Sequence, residues 1–124
     1  CLHLPLTKLT KNMVKKDQLL SMKKDAIIIN PSRGGIINEQ DLYDVMKDGH
    51  LSGAAIDVFE NEPYDGNLTE IERCVLTAHM GSMSIDCRTR MEIEATEEAV
   101  RFLTGKSLEG VVPQTEYNVQ SDGL

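Results

Sequence analysis

Ala26-Ile27-Ile28-Ile29-Asn30-Pro31-Ser32-Arg33-Gly34-Gly35 is the stretch from which the fold can be read. Its first half is a continuous apolar run without alternation. That is the pattern of a strand buried on both faces of a parallel sheet. Proline, serine and two glycines follow at once, so the run breaks into a turn that carries an arginine. Three further short apolar runs lie outside it: Leu2 to Leu4, Ala54 to Val58 and Cys74 to Thr77. Helical patterns fall between them. Asp17 to Met22 is a short one, and Asn38 reads as an N-cap followed by Glu39, Gln40 and Asp41, a first turn whose two acids suit a helix dipole. Leu42, Val45 and Met46 form that helix's stripe, and Gly49 takes the usual place after its end. The longest helix is expected from about Ile85 to Leu103, with Met91, Ala95, Ala99 and Phe102 on one face and Gly105 at its close. Beyond Gly110 the text is polar and aperiodic, so an extended tail is expected there. Alternating strands and helices make this an α/β chain with a parallel sheet flanked by helices.

In such sheets ligands bind beyond the carboxyl ends of the strands. Arg33 follows the first run, Asp57 lies near the end of the second, and His79 follows the third. Three reactive polar groups at three strand exits point to one crevice. His3 and His50 lack such a place and are read as structural.

The 124 residues suit one compact domain. The net charge of −7, with lysine and arginine dispersed, disfavours nucleic acid or an anionic membrane as partner. A small anion needs only one or two local cations and stays open. Cys1, Cys74 and Cys87 are odd in number and have no metal-ligand spacing, so neither a disulfide framework nor a metal site is expected, and the cytoplasm is the expected compartment. No apolar run reaches membrane-spanning length and no signal peptide opens the chain. Cys1-Leu2-His3-Leu4-Pro5 opens inside a strand pattern, which suggests a piece of a longer protein.

Four blocks occur in order: His3-Leu4-Pro5-Leu6-Thr7, Asn30-Pro31-Ser32-Arg33-Gly34-Gly35, Gly53-Ala54-Ala55-Ile56-Asp57-Val58-Phe59-Glu60-Asn61-Glu62-Pro63 and Thr77-Ala78-His79-Met80-Gly81-Ser82. Together they resemble the signature blocks of the D-isomer-specific 2-hydroxyacid dehydrogenases, over roughly residues 1–105. One block would be a weak signal; four at family-like spacing are a strong one. The resemblance implies the C-terminal half of a Rossmann-like NAD-binding domain over 1–105, including a long helix leading back to a substrate domain, with 106–124 as a tail. The glycine-rich turn that grips pyrophosphate belongs to the other half of such a domain. NAD is the implied cofactor, NADP remaining open. A small 2-hydroxy or 2-oxo acid is the implied substrate, and a homodimer the implied assembly.

By this resemblance His79 is the acid–base group, Glu62 its carboxylate partner and Arg33 the cation for the substrate carboxylate. Glu60 is the rival to Glu62 in the same loop and is read as solvated. Formate dehydrogenases of the superfamily pair the histidine with glutamine, so Glu62 favours hydroxy-acid chemistry. Asp57 is expected to hold the nicotinamide carboxamide. Leu4, Pro5, Pro31 and Ser32 are expected to line the nicotinamide side, with Arg33, His79, Gly81 and Ser82 close to the cofactor. Ala78 stands where the family usually has proline, and Ser82 where glycine or alanine is common, so the histidine loop loses a fixed φ but no reacting group. Two other readings carry weight. One is a cofactor-sensing module of the corepressor type, which would show a peptide cleft. The other is an inactive piece that covers its exposed sheet edge with a second copy. On its own this chain is expected to lack dehydrogenase activity and to self-associate.

Overall fold

The computed structural model describes residues 1–121, and residues 122–124 of the expected tail lie outside them. Three strands, β1 (Ile27–Asn30), β2 (Gly53–Ile56) and β3 (Cys74–Leu76), form one sheet in the order β1-β2-β3, with both pairings parallel. Before them lies α1 (Lys16–Ser21). Helix α2 (Glu39–Lys47) links β1 to β2, and a 3₁₀ turn over Asn67–Glu70 precedes β3. The chain continues into α3 (Ile85–Leu103) and α4 (Gln114–Ser121).

Local chemistry explains these boundaries. Asn38 caps α2 by accepting the Asp41 amide at 2.9 Å, and Gly49 takes a left-handed φ of 76° just beyond the helix. Ser84 caps α3 by accepting the Cys87 amide, and Gly105 leaves it at a φ of 68°. The core lies between α2 and one face of the sheet. Leu42, Val45 and Met46, essentially inaccessible, meet Ile28, Ala54 and Ile56, while Leu19, Leu51 and Leu68 close the sides.

The other face of the sheet is open. Ile29, Ala55 and Val75 share one register row on it, and Ile27 and Val75 are 61% and 62% exposed. This corrects the expectation of a strand buried on both faces. Crossovers of one hand in a sheet of order 1-2-3 leave their connections on the same side, so α2 and the 3₁₀ turn cover a single face. Helix α3 does not cover the second face: it buries none of its side chains, and Met91 and Phe102 of its apolar stripe are 54% and 72% exposed.

Two further expectations fail. Leu2 to Leu4 is not a strand. The Leu2 amide donates to the Ile29 carbonyl at 2.9 Å, but Pro5 has no N–H with which to extend a ladder. The tail is not wholly extended either, since residues 114–121 form α4 behind Pro113, and proline suits the entry to a helix.

The contrast between the two sheet faces is measurable. Ile28→Ala should cost about 2–5 kcal/mol in urea unfolding, whereas Ile27→Thr should stay within about 0.5 kcal/mol. Equal losses would mean that both faces are packed.

Candidate active site

The three strands end on one level. Asn30, Ile56 and Leu76, the last residues of β1, β2 and β3, are partners in a single register row. The loops that follow therefore start side by side.

The loop after β1 is shaped by Asn30, which is 2% exposed. Its Oδ1 accepts the Ser32 amide at 3.2 Å and the Ser32 hydroxyl at 2.8 Å, and its Nδ2 donates to the Arg33 carbonyl at 2.9 Å. That bracket turns Arg33 outward, where its Nη1 donates to the Ser32 carbonyl at 2.6 Å. Gly34 then passes so close to the loop after β2 that a Cβ would lie 2.0 Å from the Phe59 carbonyl. Only glycine permits this approach, and it brings the Arg33 turn against the loop carrying Glu62.

The loop after β2 presents Glu62. Its Oε1 accepts the Phe59 amide at 3.0 Å, and its Oε2 lies 3.0 Å from His79 Nδ1. The amide of Phe59 and then the imidazole hold the Glu62 carboxyl below its usual range. With Nδ1 paired to a carboxylate, Nε2 is the nitrogen left for a substrate.

The loop after β3 carries His79 at a φ of 53°, a left-handed conformation that costs a non-glycine residue on the order of 1–3 kcal/mol. Its amide donates to the Asp57 carbonyl at 2.8 Å. The Asp57 carboxylate accepts the Thr77 hydroxyl at 2.5 Å, the Met80 amide at 2.8 Å and the Gly81 amide at 3.1 Å. Partial burial works against ionisation of Asp57. The hydrogen bonds and the charge of His79 outweigh it and hold the carboxyl below its usual range.

Arg33, Glu62 and His79 line one cleft of about 430 Å³. Asp57 and Gly81 do not line it but hold the His79 loop behind it. Leu4, Pro5, Pro31, Ser32 and Ser82 are not among its lining residues; Leu6 and Lys11 are. Asn30, Gly34 and Thr77 had no role assigned from sequence. A polar residue ending a buried run just before proline was the available sign of Asn30. His50 Nε2 lies 3.1 Å from the Met22 carbonyl, and His3 sits 3.0 Å from the Cys1 thiol. Among the described residues no helix is long and apolar enough to cross a membrane, and no cluster of metal-ligating side chains occurs.

Residues 1–81 match the family model described as D-isomer specific 2-hydroxyacid dehydrogenase, NAD binding domain. The chain belongs to that family. It is 38% identical over 125 residues to a glyoxylate reductase of Korarchaeum cryptofilum, covering 99% of this chain and 38% of that protein. A D-3-phosphoglycerate dehydrogenase of Methanocaldococcus jannaschii is 38% identical over 112 residues, covering 90% of this chain and 21% of its own length. Among solved structures, a glyoxylate reductase from Paecilomyes thermophila superposes with a TM-score of 0.85 at 27% identity, covering 91% of this chain and 35% of that one. A D-isomer specific 2-hydroxyacid dehydrogenase from Xanthobacter autotrophicus Py2, in complex with NADPH and MES, superposes at 0.76 with 27% identity, covering 92% and 47%. The chain thus spans less than half of each of these relatives and corresponds to a partial Rossmann domain.

Two outcomes test this geometry. Gly34→Ala should displace the Arg33 turn from the Phe59–Glu60 backbone and lower stability, read by amide shift changes confined to those two loops plus a lower urea midpoint. An unperturbed spectrum would refute the close approach. Acid should loosen the His79 loop. Both carboxyls are depressed on folding, so their stabilisation is complete above their ordinary values of 3.8 and 4.5 and is lost as pH falls through the lower folded values. Amide shifts of Phe59, Met80 and Gly81 that titrate with midpoints above 4.5 would contradict this.

Proposed function

We propose that this chain forms the second half of the nucleotide domain of an enzyme that moves a hydride between NAD, or NADP, and a small D-2-hydroxy or 2-oxo acid. The observation that carries the reading is the His79–Glu62 pair opening, together with Arg33, into one cleft at the carboxyl end of a parallel sheet. Residues 1–105 then belong to the nucleotide domain and 106–124 to a tail. The bare apolar stripe of α3 and the open sheet face suit packing against the rest of such an enzyme or a twin subunit. A homodimer in the cytoplasm is consistent with that surface and with three unpaired thiols.

The residues fit a nicotinamide. Pro31 and Ser32 lie just past β1, and Asp57, Gly81 and Ser82 in the segments after β2 and β3, where they would meet the ring; Leu4 and Pro5 are exposed and would add to its apolar side. When bound, the ring takes or gives the hydride at C2 of the acid. Arg33, exposed in its turn, binds the substrate carboxylate as a fork of donors. His79 Nε2 takes the hydroxyl proton during oxidation and returns it to the carbonyl oxygen during reduction. Glu62 fixes the ring's tautomer through Nδ1 and stabilises the imidazolium that forms.

In the complete enzyme His79→Ala should lower kcat by about 10²–10⁴-fold with little change in the unfolding midpoint, since the side chain is 50% exposed. Arg33→Ala should act mainly by raising KM for the acid. Glu62→Gln removes the stabilising charge from the imidazolium, so the pH–rate profile should move to lower pH. A profile that stays in place would sink the pairing.

A further inference from the structure

We propose that Asp57 is a positioning residue for proton transfer: its carboxylate holds the backbone on both sides of His79 in the left-handed turn that aims the imidazole into the cleft. This role rests on the reaction proposed above and adds to it a residue whose expected partner was the nicotinamide carboxamide.

Four observations carry the inference. First, the Asp57 carboxylate is largely committed. Two carboxylate oxygens offer about four acceptor sites, and the Thr77 hydroxyl with the Met80 and Gly81 amides occupies three. At most one site remains for a cofactor amide. Second, all three donors belong to the segment that brackets His79, and the Asp57 carbonyl holds the His79 amide as well. One residue therefore grips the loop at positions 77, 79, 80 and 81. Third, the other backbone bonds of this segment, from Thr77 to the Ile56 carbonyl and from Met83 to the Met80 carbonyl, lie to either side of His79. Residues 77–85 are all exposed, so no apolar burial defines the turn, and the Glu62 contact fixes the ring but not the φ of 53° behind it. Fourth, Asp57 is itself rigidly placed, because its amide donates to the Asn30 carbonyl at 3.0 Å at the level where β1 and β2 end. The Asn30 side chain holds the Arg33 turn. The two substrate-facing groups are thus referred to adjoining atoms of one strand end. Close alignment of this kind governs rate, since a misplacement of about 1 Å can cost about 10²-fold.

A residue with this role should disturb the loop and leave the core intact. Asp57→Asn keeps the shape but loses the charge and one acceptor. In the 124-residue chain it should speed hydrogen exchange at the Met80 and Gly81 amides by about tenfold or more and move the His79 Cα and Cβ shifts away from left-handed values, with only a small fall in the urea midpoint. Thr77→Val, which removes one of the three bonds, should give a smaller change of the same kind. In the complete enzyme, assayed with glyoxylate and NADH, Asp57→Asn should lower kcat by about 10²-fold, beyond any rise in KM for NADH. Retained exchange protection with unmoved His79 shifts would overturn the proposal. So would a raised KM for NADH with kcat preserved, which would mark Asp57 as a cofactor contact alone, and so would a collapsed urea midpoint in both variants, which would mark it as merely structural. A wild-type enzyme inactive on every 2-oxo acid would instead overturn the reaction itself, and the exchange data on the chain would still report whether the loop is held.

Discussion

Three parallel strands that end on one register row, Asn30 beside Ile56 beside Leu76, impose the constraint on which the rest of this structure depends. Parallel pairing sends every strand's carboxyl end the same way, and equal termination sets three loops off from one line. Arg33, Glu62 and His79 come from separate segments; the strand ladder starts their loops side by side, and contacts between the loops then complete the cleft. The ladder is anchored by the packing of α2, whose Leu42, Val45 and Met46 bury the face opposite the open row.

Within that frame the site is built from backbone economy. Glycine at position 34 lets two loops touch where any side chain would collide with the Phe59 carbonyl. Asn30 and Asp57, neither of them a reacting group in the proposed chemistry, use their side chains to satisfy amides, a carbonyl and hydroxyls in the turns on either side. Such turns bury little apolar surface, so hydrogen bonds rather than packing define them. That explains how a half-exposed imidazole can hold one orientation while strands and helices supply the stability.

The surfaces left bare carry their own physical content. Ile27, Ile29 and Val75 on the open sheet face, and Met91, Val100 and Phe102 on α3, are too large an apolar area to be incidental in a chain this short. They fit the coverage figures of the relatives, in which this segment is only about a fifth to a half of the protein.

Sequence alone settled the α/β class, three of the strands to within a residue or two, the caps at Asn38 and Gly49, and α3 with its bounds. Those features follow from local periodicity and capping chemistry, which are written in neighbouring residues. It also singled out Arg33, Asp57 and His79, because reactive side chains behind apolar runs must sit at strand exits, while Glu62 came from the family resemblance. Tertiary structure decided what depends on distant partners. It left one sheet face open, because both connections pack on the other. It denied Leu2 to Leu4 a ladder, because Pro5 has no amide to offer. And it committed the Asp57 carboxylate to the His79 loop, because the level strand ends set Asp57 beside Thr77, Met80 and Gly81, donors about twenty residues away whose approach no local pattern could reveal.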